Sequence, residues 1–180
     1  MKNAKSRQNE LFGLCISIVH YMTANPYGKY VEGLDVLKCL EDTPARIESL
    51  VRGWARDKDE HSHAPGKWTA RQVLTHLAHI EMVFAIRLRF ALAQDNYVVQ
   101  PFEQDDWMNN EPGQTALAAL DSYLALRRMN LALCQSLSPA QRARTFTHPE
   151  YGVLDVNWMM AWAAGHERNH LPQIDAVAKA

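Results

Sequence analysis

The sequence predicts an all-α fold, a four-helix bundle, on three observations. Strand signals are nearly absent, because no stretch sustains a period of two and no Asn-Gly or Asp-Gly pair marks a hairpin. Four longer segments instead repeat apolar residues at spacings of three and four, and such stripes are buried most simply against one another. The connections over residues 95–113 and 138–154 are long for helix hairpins, which usually need about two to eight residues. At least one of them is therefore a crossover.

The elements follow in order, with residues 1–24 read as an N-terminal helical extension and residues 25–180 as one bundle domain. Lys2, Lys5 and Arg7 before LFGLCISIV at residues 11–19 loosely imitate a signal peptide. Glu10 at the start of that run, His20 and Tyr21 after it and the lack of an A-x-A site argue against one. Leu11, Leu14, Cys15, Ile18 and Met22 keep helical spacing, which predicts an extra amphipathic helix. A short helix over 35–41 leads to the first bundle helix, which Thr43-Pro44 opens as N-cap and first-turn proline. The second starts at Thr69, in a capping box with Gln72, and runs to about Gln94. The third occupies roughly Gln114 to Leu137, between Pro112-Gly113 and Ser138-Pro139. The fourth is capped by Asp155, and Pro172 is expected to weaken or kink its last turns. The polar stretch QPFEQDDWMNNEPG at residues 100–113, with its aromatic anchors, has the composition of a loop packed over an opening.

Composition narrows the function. A net charge of -1 without a polybasic run gives no sign of a nucleic-acid partner, and no apolar run reaches the roughly eighteen residues of a membrane span. Cys15, Cys39 and Cys134 form no C-x-x-C pair and fit a reducing cytoplasm, the expected location. The apolar residues 11–22 exceed what a solvated helix exposes, so a homodimer with that helix at or near the contact is expected.

The eight histidines are the unusual feature. His166 and His170 fall inside the apolar stripe Met159, Trp162, Ala163, Ile174 and Val177, about 40° apart around the helix axis. A lone inward histidine is ordinarily a hydrogen-bonded core residue, whereas two at this spacing suit a shared divalent ion. GHERNH also spells the H-E-x-x-H of zinc peptidases, but ten residues follow His170 and Gln173 stands where a metzincin glycine belongs, so the peptidase reading fails. The third ligand must lie upstream. His76, beside Val73, Leu77 and Ile80, is favoured over His79, which is rotated further outward.

The other histidines carry weaker signals. His61 and His63 read as solvated loop residues, His148 as a capping or loop-packing residue that could overlie the site, and His20 as silent. Arg87 lies three turns beyond His76 on the same face, about 16 Å along the axis. An inward arginine wants an anion or a carboxylate, and a salt bridge inside the bundle is its plainer reading.

NPYGKY at 25–30, TPARI at 43–47, GKWTARQVLTHLAHIE at 66–81, Asp-Trp at 106–107 and HPEYGVLDVNWMMAWAAGHERNHLPQI at 148–174 together resemble the DinB/YfiT-like family over roughly residues 25–175. The resemblance implies a four-helix bundle with a long crossover between helices 2 and 3. It also implies a metal triad at His76, His166 and His170, the trio that spacing selects. Glu167 then becomes an incidental occupant of H-x-x-x-H, although it could reach a metal-bound water or a neighbouring arginine and is the candidate catalytic residue. The expected cofactor is one divalent transition metal, zinc or nickel first, with a low-molecular-weight thiol as a second ligand. The implied activity is that of a metal-dependent hydrolase or thiol-dependent S-transferase, acting on a small molecule in a pocket lined by Trp107 and Trp158. The alternative is a non-catalytic metal-binding stress-response bundle.

Overall fold

The computed structural model describes residues 25–180. The helix expected over 11–22, with Cys15 and His20, lies outside the described residues. A 3-10 turn at Gly28–Tyr30 precedes α1 (Val36–Val51), and a second at Arg56–Glu60 precedes α2 (Ala70–Ala93). Then come α3 (Gln104–Asn110), α4 (Ala116–Ser136), the single turn α5 (Pro139–Arg142), a hairpin of β1 (Thr145–His148) and β2 (Gly152–Asp155), and α6 (Val156–Lys179). Helices α1, α2, α4 and α6 form the bundle.

Helix α2 packs between α4 and α6, and α1 packs on the other side of the same two helices. Consecutive bundle helices α1/α2 and α4/α6 therefore face across the diagonal, while α2 and α4 are neighbours. These neighbours run parallel, as their contacts climb in step: Thr75 with Gln114 just ahead of α4, Glu81 with Arg127, and Arg89 with Asn130. A parallel neighbour forces the chain to return the length of the bundle, which explains the long crossover. Along that return Tyr97 and Val99 exchange backbone bonds with Thr147 of the hairpin, Val99 N donating to Thr147 O at 3.0 Å and Thr147 N to Tyr97 O at 2.8 Å.

Local chemistry sets most boundaries as expected. The Thr69–Gln72 capping box is formed, Thr115 caps α4, and Asp155 caps α6 by accepting from Trp158 N at 2.8 Å. Two expectations need correction. The segments 35–41 and Thr43 onward are one helix, capped by Asp35, with Pro44 inside it. Proline there leaves the Leu40 carbonyl without its helical donor, and Arg127 Nη1 supplies one from α4 at 3.4 Å. The connection at 138–154 holds an antiparallel hairpin pairing Thr145 with Asp155 and His148 with Gly152, whose φ is 76°. Strands of four residues are too short for alternation to register in the sequence. Helix α6 runs to Lys179 with Pro172 inside it.

The core falls into two apolar clusters. One gathers Leu40, Phe84, Leu88, Cys134 and Trp158, the other Ile47, Val73, Leu77, Tyr123 and Ile174. Helices α2, α4 and α6 also bury a layer of polar side chains, among them His76, Glu81, Arg127, Asn130, His166 and Glu167.

Candidate metal centre

Antiparallel packing of α2 on α6 brings His76 against His166 and His170. Their Nε2 atoms stand 3.1 Å apart for His76 and His166, and 3.3 Å for His170 and His166, and ligand atoms of all three lie within 4.8 Å of one another. Each ring is buried, His76 and His166 almost completely. Burial first, and the neighbouring imidazoles second, lower their pKa values, to about 3 for His76 and well below the ordinary range for His166. The His170 value is lowered too, by burial. The rings are therefore neutral, with lone pairs for an electrophile.

This donor set fits a transition metal. A tetrahedral ion with bonds of about 2.0–2.1 Å spaces its nitrogen ligands roughly 3.3 Å apart, close to the separations found here. His170 is already oriented for such an ion: its Nδ1–H donates to Gln173 Oε1 at 3.0 Å, leaving the Nε2 lone pair facing the other two rings. No fourth histidine, cysteine or carboxylate among the described residues joins the three.

The other singled-out residues divide. His79 does not join the trio, and it is not outward either. It is 2% exposed, because the crossover covers that side of α2: Nε2 meets Glu111 Oε1 at 2.9 Å and the ring packs edge-on against Trp107. His61 and His63 are exposed, as expected. His148 closes the hairpin turn, its Nδ1 accepting from Glu150 N at 3.2 Å. Arg87 makes no salt bridge among the described residues; its Nη2 donates to the Gln100 carbonyl at 2.6 Å.

Glu167 points away from solvent into the polar layer, with Oε2 3.3 Å from Arg127 Nη2. The same guanidinium nitrogen gives its shorter bond, 2.7 Å, to Glu81. Burial and the nearby Glu81 carboxylate hold Glu167 well above the usual carboxylate range. Asn130 completes the layer, donating to Glu81 Oε2 and to the Glu81 carbonyl, both at 3.0 Å. Glu81, Arg127 and Asn130 were missed by the sequence reading. The signal existed, since Glu81 lies four residues after Leu77, and Arg127 three after Leu124, both on inward faces.

Beside the trio lies a cavity of about 330 Å³. Two of its lining rings pack on His166, Tyr27 edge-on at 4.9 Å and Trp162 stacked at 5.1 Å, and Phe102 lies parallel to His76 at 6.4 Å. Trp158 lines the same cavity, whereas Trp107 lines an adjoining hollow and packs on Phe102. The segment carrying Tyr27 reaches His166 only because Gly165 precedes it. A Cβ on Gly165 would stand 2.5 Å from the Tyr27 carbonyl oxygen.

Fold and site together define a four-helix bundle with a buried three-histidine cluster beside an aromatic cavity. The chain belongs to the DinB superfamily, whose family model matches residues 40–174. It is 31% identical over 144 residues to the "Putative metal-dependent hydrolase" of Oceanobacillus iheyensis, covering 78% of this chain and 82% of the relative. A protein of the same name from Bacillus mycoides is 28% identical over 142 residues, covering 77% and 80%. Among solved structures, YfiT from Bacillus subtilis, a four-helix bundle of unusual topology, superposes with a TM-score of 0.73 at 22% identity, covering 80% of this chain and 84% of that one. The four-helix bundle protein TT2238 gives a TM-score of 0.52 at 26% identity, covering 76% and 93%.

Proposed function

We propose that the protein is a metal-dependent hydrolase of a small molecule, with one divalent transition metal, zinc or nickel first, held by His76, His166 and His170. The observation that carries this reading is the convergence of three neutral imidazoles, without a fourth protein ligand among the described residues, beside a cavity two of whose rings pack on His166. An incomplete ligand set is the mark of catalytic rather than structural metal sites. A metal held there would supply Lewis acidity, polarising a carbonyl or easing loss of a proton from water. The protein's own contribution is orientation and exclusion of water. Gln173 fixes the His170 ring, and Tyr27, Phe102 and Trp162 cover the trio and shape the cavity. Glu167 is the candidate acid–base group, since among the described residues its carboxyl has only the 3.3 Å ion pair with Arg127 and no hydrogen bond, and its raised pKa suits proton exchange.

A low-molecular-weight thiol in the open ligand position would make the protein an S-transferase. Catalytic silence would make it a metal-binding stress-response bundle. One experiment separates the three. Protein purified without a nickel resin is analysed for metal, then assayed for hydrolysis of activated esters and amides and for transfer of a thiol to an aryl halide. Hydrolysis that needs stoichiometric metal and is lost in His76→Ala supports the proposal. Transfer without hydrolysis moves it to the thiol reading, and bound metal with neither activity moves it to the non-catalytic one.

The same reading places the protein in the cytoplasm, where the free thiols of the buried Cys39 and Cys134 suit a reducing environment, and makes it a homodimer through residues 11–22. Among the described residues no helix is long and apolar enough to cross a membrane.

A further inference from the structure

Arg87 is the one charged residue singled out in the sequence that the site described so far does not use. It projects from α2 on the face that carries His76, eleven residues or about 16 Å further along the axis, and lines the aromatic cavity. The guanidinium has one hydrogen bond, to the Gln100 carbonyl, and no carboxylate within salt-bridge distance among the described residues. An arginine offers five N–H donors, so most of this one's fork is unused by the described residues. It is not a free surface cation either, since burial partly strips its water. Glu103 and Glu150 line the same cavity but are exposed and make no salt bridge with it.

We propose that Arg87 recognises a carboxylate of the substrate, so that the substrate is an aromatic or otherwise apolar acid whose anionic end lies far from the histidine trio. The reasons are geometric and electrostatic. The Gln100 carbonyl anchors one side of the guanidinium, which holds the remaining N–H groups in place for a bidentate acceptor. The cavity that Arg87 lines is also walled by Phe84, Phe102, Trp158 and Trp162, surfaces for an apolar body, and Phe102 and Trp162 separate it from His76 and His166. His148, on the hairpin side, adds no second charge, because burial and the nearby Arg87 cation lower its pKa. One fixed cation with Glu103 and Glu150 nearby matches a monoanion and disfavours a dianion such as a phosphate monoester. The proposal rests on the metal reading only for what happens at the other end of the molecule.

Calorimetric titration of the full chain with 4-phenylbutyrate and its neutral isostere 4-phenylbutyramide tests it, in chelator-treated and zinc-loaded preparations. The expected result is an acid preference of about tenfold to a hundredfold in both preparations, the range of a charge-assisted hydrogen bond. Arg87→Met removes the preference, bringing acid binding down to that of the amide, and Arg87→Lys restores part of it. Circular dichroism of each variant confirms the fold. Equal binding of acid and amide, no binding of the acid, or a preference that survives Arg87→Met overturns the proposal. A preference seen only with zinc, and retained by Arg87→Met, assigns the carboxylate to the metal instead. Metal content of the same preparations judges the metal reading separately.

Discussion

Gln173 holds His170 from one turn further along α6, its Oε1 3.0 Å from the imidazole Nδ1. Because this bond fixes which ring nitrogen carries the proton, Gln173→Leu is expected to weaken metal binding about tenfold to a hundredfold without removing a ligand. Competition against a chromophoric chelator measures it. Unchanged affinity would mean that packing alone orients His170.

Arg127 joins three helices, through Glu81 on α2, Glu167 on α6 and the Leu40 carbonyl on α1. Arg127→Ala leaves two buried carboxylates on one another, and the expected loss is about 3–5 kcal/mol in urea unfolding. A loss below about 1 kcal/mol would show that the carboxylates take up protons and water at little cost. The double variant with Glu81→Gln is expected to recover part of the loss.

Gly165 meets the Tyr27 backbone too closely for any side chain. Gly165→Ala is expected to cost about 1–3 kcal/mol and to displace Tyr27 from His166, despite the better helix propensity of alanine. A thermal melt at or above that of the wild type refutes the close approach.

For the metal-free protein, His76 sets a slope of stability with pH. Its folded pKa of about 3 lies below the unfolded value near 6.5, so the unfolded chain takes up the proton first as pH falls. The His76 contribution to stability is intact above pH 6.5 and declines through the window from 6.5 to about 3, by about 1.4 kcal/mol per pH unit once fully within it. Glu167 acts with the opposite sign, because a raised carboxylate pKa favours the folded state as pH falls. Denaturant unfolding of metal-free wild type and His76→Gln isolates the histidine contribution, since Glu167 is common to both. Equal slopes for the two proteins would contradict it.

Light scattering tests the homodimer proposed through residues 11–22. The full chain is expected at twice the monomer mass, and a chain starting at Asn25 at the monomer mass. A monomeric full chain ends the proposal, and an equally stable dimer after truncation moves the contact onto the bundle.

The sequence by itself determined the bundle, three of its four helix starts and the trio of histidines. Each of these is a local pattern: the capping box at Thr69 and Gln72, Asp155 ahead of an apolar stripe, two histidines one turn apart, and one beside Leu77. Such patterns depend on a few neighbouring residues, and periodicity reports which side of a helix faces inward. Only the tertiary structure decided the rest. Pro44 reads as a helix start, and it becomes an interior residue because Arg127, distant in the chain, serves the carbonyl it frees. His79 reads as outward because α2 alone gives no hint that Glu111 and Trp107 cover that face. Glu81 and Arg127 each look like a charge out of place until α2 and α4 are set side by side and parallel, an arrangement made by the crossover. Partners supplied by another helix leave no periodic trace in the segment that receives them, which is why the trio was legible and the layer around it was not.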